Sequence, residues 1–183
     1  MSSLIKAYQK LLHTYPLLIQ SGQTGVLMGL GDVIAQKFIE GKSFENHDMR
    51  RTFTFFGIGT CFVGPGLVTW YKTLSVVVKG SGKSVAFKKV AVDQTFFPPT
   101  LIGFLLVSLG LAEGKNFQQI KGDFSKNYTD ILITNYKIWP FVQIANFYFT
   151  PLHYQSLVVQ TVAVGWNTYL SWKTQSKKHE YHT

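Results

Sequence analysis

Charged residues in this chain gather in short clusters and leave long neutral tracts between them. A helix that crosses a hydrocarbon core of about 30 Å needs roughly 20 mostly apolar residues, and the neutral tracts have that length. The first, residues 17–39, is interrupted by Asp32 and Lys37; the second, 52–71, carries no formal charge; the third, 90–112, carries only Asp93. The fourth, 138–172, holds no Asp, Glu, Lys or Arg and is too long for one straight span. Pro140 and Pro151 are expected to break it, because proline lacks an amide donor and collides with the preceding turn. On this reading it crosses the bilayer once or twice. Two further stretches, 1–15 and 115–134, have apolar positions at helical spacing (Leu4, Tyr8, Leu11 and Leu12; Phe117, Ile120, Phe124, Tyr128 and Ile131) and predict amphipathic helices lying on the membrane. The connecting segments are basic or rich in Gly and Ser, and Trp or Tyr residues flank several tracts, where interfacial rings settle. The expected fold is all-α: one integral membrane domain over 1–183, a polytopic helical bundle with kinked helices.

Composition sharpens the pattern. Of 183 residues 15% are charged, against about a quarter in soluble domains. A soluble bundle would need charged stripes along its helices, and the second and fourth tracts have none. Mean hydropathy is only +0.10, so the spans must carry many Gly, Ser, Thr, Asn and Gln. The net charge of +9 resides in loops between apolar tracts. Contact with anionic lipid head groups accounts for it, and no nucleic-acid binding is expected. The basic start, without an acid before Asp32, has organelle-targeting character. A single cysteine, Cys61, excludes an intramolecular disulfide and reads as a packing residue.

The polar residues within the spans are the candidate chemistry. Ser21, Gly25, Gly29, Asp32 and Gln36 share one helix face. The three small residues suit close helix packing. Asp32 costs roughly 2.5–3.5 kcal/mol in a span and should face a polar partner or a water-filled cavity. Asp93, beside Gln94, reads either as an interfacial charge paired with Lys88 or Lys89 or as an acid lining a cavity. Gln143 and Asn146 share a face with Trp139 and Thr150, and that stripe serves either hydrogen bonding between helices or contact with water. Pro65, Pro98, Pro99, Pro140 and Pro151 are expected kinks. Kinks at membrane depth are tolerated where protein or a cavity satisfies the freed carbonyls.

No arrangement for catalysis is found. Residues 80–84, Gly-Ser-Gly-Lys-Ser, imitate the end of a phosphate-binding loop, but Val77 stands where its first glycine belongs. The five histidines show no metal-ligand spacing. No enzyme activity, cofactor or metal is expected.

The runs Thr134-Asn135-Tyr136-Lys137-Ile138-Trp139-Pro140, Pro151-Leu152-His153-Tyr154 and Trp166-Asn167-Thr168-Tyr169-Leu170-Ser171-Trp172 closely resemble the signature of the Mpv-seventeen family. Leu27-Met28-Gly29-Leu30-Gly31-Asp32, Arg51-Thr52, Val63-Gly64-Pro65, Trp70-Tyr71-Lys72 and Asp93-Gln94 match in order, so the likeness covers nearly the whole chain. It looks nearest to the founding, mitochondrial member. One departure is Gln155, where the family usually has an arginine; no salt bridge from that position to Asp32 or Asp93 is expected. The resemblance implies a four-span protein of the mitochondrial inner membrane, with the peroxisomal membrane as the alternative. It implies a weakly selective channel that moderates membrane potential and supports mitochondrial DNA maintenance. A carrier of nucleotide precursors and a non-transporting assembly factor are the rival readings. Partners would be the lipid bilayer, a second copy of the chain, or a larger membrane complex. The residues expected near the polar route are Asp32, Gln36, Asp93, Gln94, Gln143 and Asn146.

Overall fold

A computed structural model describes residues 10–80, 83–149 and 152–175, with side chains except those of 83, 86, 146–148 and 152–157. Throughout the described residues the regular structure is helical. Helix α1, Pro16–Ile34, starts with proline at its first turn, where a missing amide is harmless, and runs on through a π-helical turn, Ala35–Ile39. Helix α2, Met49–Ile58, passes through a second π-helical turn, Gly59–Val63, into α3, Gly64–Val77. Helices α4, Lys83–Ala112, α5, Phe117–Phe149, and α6, Leu152–Gln175, complete the order. The continuous rod Met49–Val77 and the segment Phe87–Ala112 are each long and apolar enough to cross a bilayer.

The ends of these helices are written in the sequence. Asp48 caps α2 by accepting the Arg51 amide at 2.9 Å. Gly114, in the left-handed region at φ +74°, ends α4. The amides of Lys115 and Gly114 there bond back to the carbonyls of Gly110 and Leu111, both at 3.0 Å, a Schellman closure. Asn116 and Gln119 then exchange side-chain bonds with each other's amides at 3.0 and 2.9 Å, the reciprocal box that opens α5.

Helix α1 sits on the α2–α3 rod through small residues. A Cβ at Gly59 would lie 2.7 Å from Gly25 Cα, and one at Gly64 would lie 2.5 Å from Ser21 Cα, so the backbones touch. Gly29 lies on the same seam at ordinary contact distance from Phe56. On its other side α1 meets α6, where a Cβ at Gly31 would strike the backbone of Asn167 and Thr168. Met28, Phe55, Ile58, Val63, Ile102, Leu105, Leu106, Leu109, Ile131 and Leu170 form one apolar core. Outside it, large apolar side chains stand exposed: Phe38, Phe53, Phe62, Phe96, Phe141 and Phe149 are all at least half open. An apolar surface of that extent needs a hydrocarbon solvent.

Two expectations need correction. Residues 115–134 are not a separate interfacial helix but the first part of α5. From Ile120 onward its apolar stripe is turned inward, Phe117 alone of the five staying exposed: Ile120 and Ile131 are buried, and Ile120, Phe124 and Tyr128 pack on Gly110 and Gly103 of α4. Periodicity identified the apolar face but not what covers it. Pro140 lies inside α5 and does not end it. The described part of the fourth tract therefore belongs to the end of α5, up to Phe149, and to α6 from Leu152 onward. Pro98 and Pro99 likewise lie within the continuous α4. Pro65 falls in the first turn of α3, directly after the π-helical turn. There the Gly64 amide already reaches five residues back to Gly59, a local shift of the kind that accompanies disturbed helix ladders. Residues 1–9 and Pro151 lie outside the described residues.

Candidate functional site

The polar residues expected along a single route fall into two separate places. The first is a closed network where α1, α2 and α6 meet. Asp32, Gln36 and Ser171 have no exposed surface, and Arg51 is 8% exposed. Asp32 Oδ1 accepts from the Ser171 hydroxyl and lies 2.6 Å from Arg51 Nε as an ion pair. Its Oδ2 accepts from Thr52 Oγ1 at 2.6 Å and from Gln36 Nε2 at 2.8 Å. Both carboxylate oxygens are thus fully engaged. The Arg51 guanidinium forks onto Glu40, Nη1 to Oε2 at 2.9 Å and Nη2 to Oε1 at 2.7 Å, and Nη2 also donates to Ser171 Oγ at 2.7 Å. Gln36 completes the join by accepting the Asp48 amide at 2.8 Å and donating to the Asp48 carbonyl at 3.1 Å.

Such a network holds helices together; it is not poised to receive a ligand. Arg51 stands between two acids, and Lys42, 3.1 Å from Glu40, supplies the balancing cation. Burial opposes the charge on Glu40, yet Arg51 and then Lys42 outweigh it and hold the carboxyl below its usual 4.5.

The second place is a cavity of about 610 Å³ between α1, α3, α4, α5 and α6. Asp93, Gln94 and Gln143 line it, as do Gln20, Asn135, Tyr71, Trp139 and Trp166; Asp32 and Gln36 do not. Asp93 is 8% exposed. The Trp70 indole, stacked on Phe97 with centroids 5.4 Å apart, donates to its Oδ1 at 2.6 Å, and Gln94 Nε2 donates to its Oδ2 at 2.8 Å. Among the described residues no lysine or arginine forms an ion pair with Asp93, Lys88 and Lys89 included. Pro98, also on the wall, has no amide to give to the Gln94 carbonyl one turn earlier. The side chains of Asn146 and Gln155 lie outside the described residues.

Sequence reasoning grouped Asp32 with Asp93 and missed the residues that separate them. Arg51 belongs to a basic loop cluster, the usual sign of a solvated cation, and Ser171 is 139 positions from Asp32. Only the matching of Arg51-Thr52 and of the Trp166–Trp172 run to a family pattern hinted at either.

The profile of the Mpv17 / PMP22 family matches residues 110–171. Over 173 residues the chain is 48% identical to the mitochondrial inner membrane protein Mpv17 of Xenopus laevis, covering 94% of this chain and 98% of that protein. The Homo sapiens protein of that name is 44% identical over 171 residues, 93% and 97% of the two chains. Protein sym-1 of Neurospora crassa is 41% identical over 167 residues, 90% and 95%. No solved structure matches.

Proposed function

The chain belongs to the Mpv17 / PMP22 family, and on that premise we propose that it provides a weakly selective route for small solutes across its membrane. The chain is a mitochondrial inner-membrane protein. The observation that carries the proposal is the cavity at Asp93: a carboxylate without a paired cation among the described residues, on a wall of amides and rings, inside an apolar-surfaced bundle. An intramembrane acid is retained where it faces a polar path or a partner. Asp93 has a neutral partner in Trp70 and space beside it. Leak through such a route would moderate membrane potential, and a mitochondrion kept within its working potential can maintain its DNA. The proposed role is passage of solutes, without enzyme chemistry.

Purified protein in planar bilayers should conduct. Asp93→Asn should shift the reversal potential in a salt gradient toward less cation preference, while Gln143→Ala should alter conductance with little effect on selectivity. Silence of the wild type at every voltage would remove the channel reading. A metabolite carrier with alternating access is the second reading, favoured by the cavity's volume, which falls in the range of roughly 300–1,000 Å³ typical of small-molecule sites. Saturable uptake into liposomes without single-channel steps would select it.

A further inference from the structure

The cavity wall is one-sided in charge. Among the described residues that line it there is one carboxylate, Asp93, and no Lys, Arg or His. Asn135 is 7% exposed, and its Oδ1 is buried without a donor; Gln94 Oε1 is in the same condition, because the Gln94 amide nitrogen is committed to Asp93. Neither acceptor is open to the cavity, so what the described wall offers an occupant is the Asp93 charge. It also offers π faces: Trp139 and Trp166 meet edge to face with centroids 6.3 Å apart, and both line the cavity. Rings attract cations, most strongly where water is thinned out.

We propose that this cavity is a binding site for small organic cations bearing an amine or guanidinium group, and that it rejects phosphorylated solutes. The inference rests on reading the cavity as the protein's solute site. The cationic head sits against Asp93, and the remainder of the molecule lies along the tryptophans. A phosphate in the same place would face Asp93 without a cation to neutralise it. That repulsion in a low-dielectric wall sets the discrimination.

The test uses the full chain in lipid nanodiscs and isothermal titration with three probes: tryptamine, indole-3-acetate and thymidine 5′-monophosphate. The first two share a ring and differ in the sign of charge. Tryptamine should bind at least about tenfold more tightly than either anion, and Asp93→Asn should weaken it by about tenfold or more, as loss of a charge-assisted contact does. Asp93→Glu, which keeps the charge, should retain the order of the probes. Equal or tighter binding of either anion overturns the proposal, as does absence of any tryptamine binding. The matched pair on the wild type decides the matter even if Asp93→Asn fails to fold. Selective tryptamine binding with no conductance overturns the channel reading and leaves this site standing. Conductance with no preference among the probes does the reverse.

Discussion

At the scale of single residues, Arg51 and Asp32 carry the heaviest consequence. Removing one partner from a buried ion pair leaves the other charge stranded, at a cost of about 3–5 kcal/mol. Arg51→Gln, which strands Asp32, should lower the unfolding free energy in detergent by that order, and Asp32→Asn, which leaves Arg51 on Glu40, should lower it by less. Ser171→Ala, which removes one hydroxyl from the network, should cost about 1–3 kcal/mol. An Asp32→Asn variant as stable as the wild type would show that the network does not hold the bundle. Glu40 adds a pH dependence. Its carboxyl is held below 4.5 in the folded state, so its stabilisation is complete above that value and is lost as pH falls through the lower, folded-state one. Acid unfolding should follow, and Glu40→Gln should flatten that part of the profile. Asp32 and Gln36 were legible in the sequence as one helix face, because spacing of four residues is a local signal. Their partners were not, since a contact between residues far apart in the chain leaves no periodic trace.

At the scale of elements, the α1 seam yields a steric prediction. Gly59→Ala places a methyl 2.7 Å from the Gly25 backbone, so two rods must separate; Gly57→Ala meets nothing within 4 Å. The first should cost about 1–3 kcal/mol or more, and the second should be neutral or slightly stabilising, since alanine is the better helix former. Thermal melts of the pair in one detergent check it, and equal midpoints would refute the close approach. The positions of the apolar tracts were legible because they depend on length and charge. The fate of residues 115–134 was not: an amphipathic stripe facing lipid and one facing a neighbouring helix have the same pattern. Pro140 misled for a related reason. The rule against interior proline describes isolated helices, and α5 is supported by the helices packed beside it.

At the scale of the whole molecule, the protein has its apolar residues both inside and out, with the polar candidates of its spans gathered in two places. One gathering is closed on itself and structural; the other borders open volume. Composition foreshadowed this, since spans of low hydropathy must hide amides somewhere. It could not say that the hidden groups form two sites rather than one line. The division gives the two acids opposite expected phenotypes. Asp32 variants should lose stability, and Asp93 variants should fold and change what passes or binds.

The closed network also bears on how the chain enters the membrane. Asp32, Glu40, Lys42 and Arg51 all belong to α1, α2 and the short turn between them. The charges that would resist burial are thus neutralised within one helical hairpin. Insertion then handles an electrically balanced pair of helices, not a lone aspartate. Ser171 supplies only a hydroxyl to that pair, so α6 docks on α1 at this point through a neutral group.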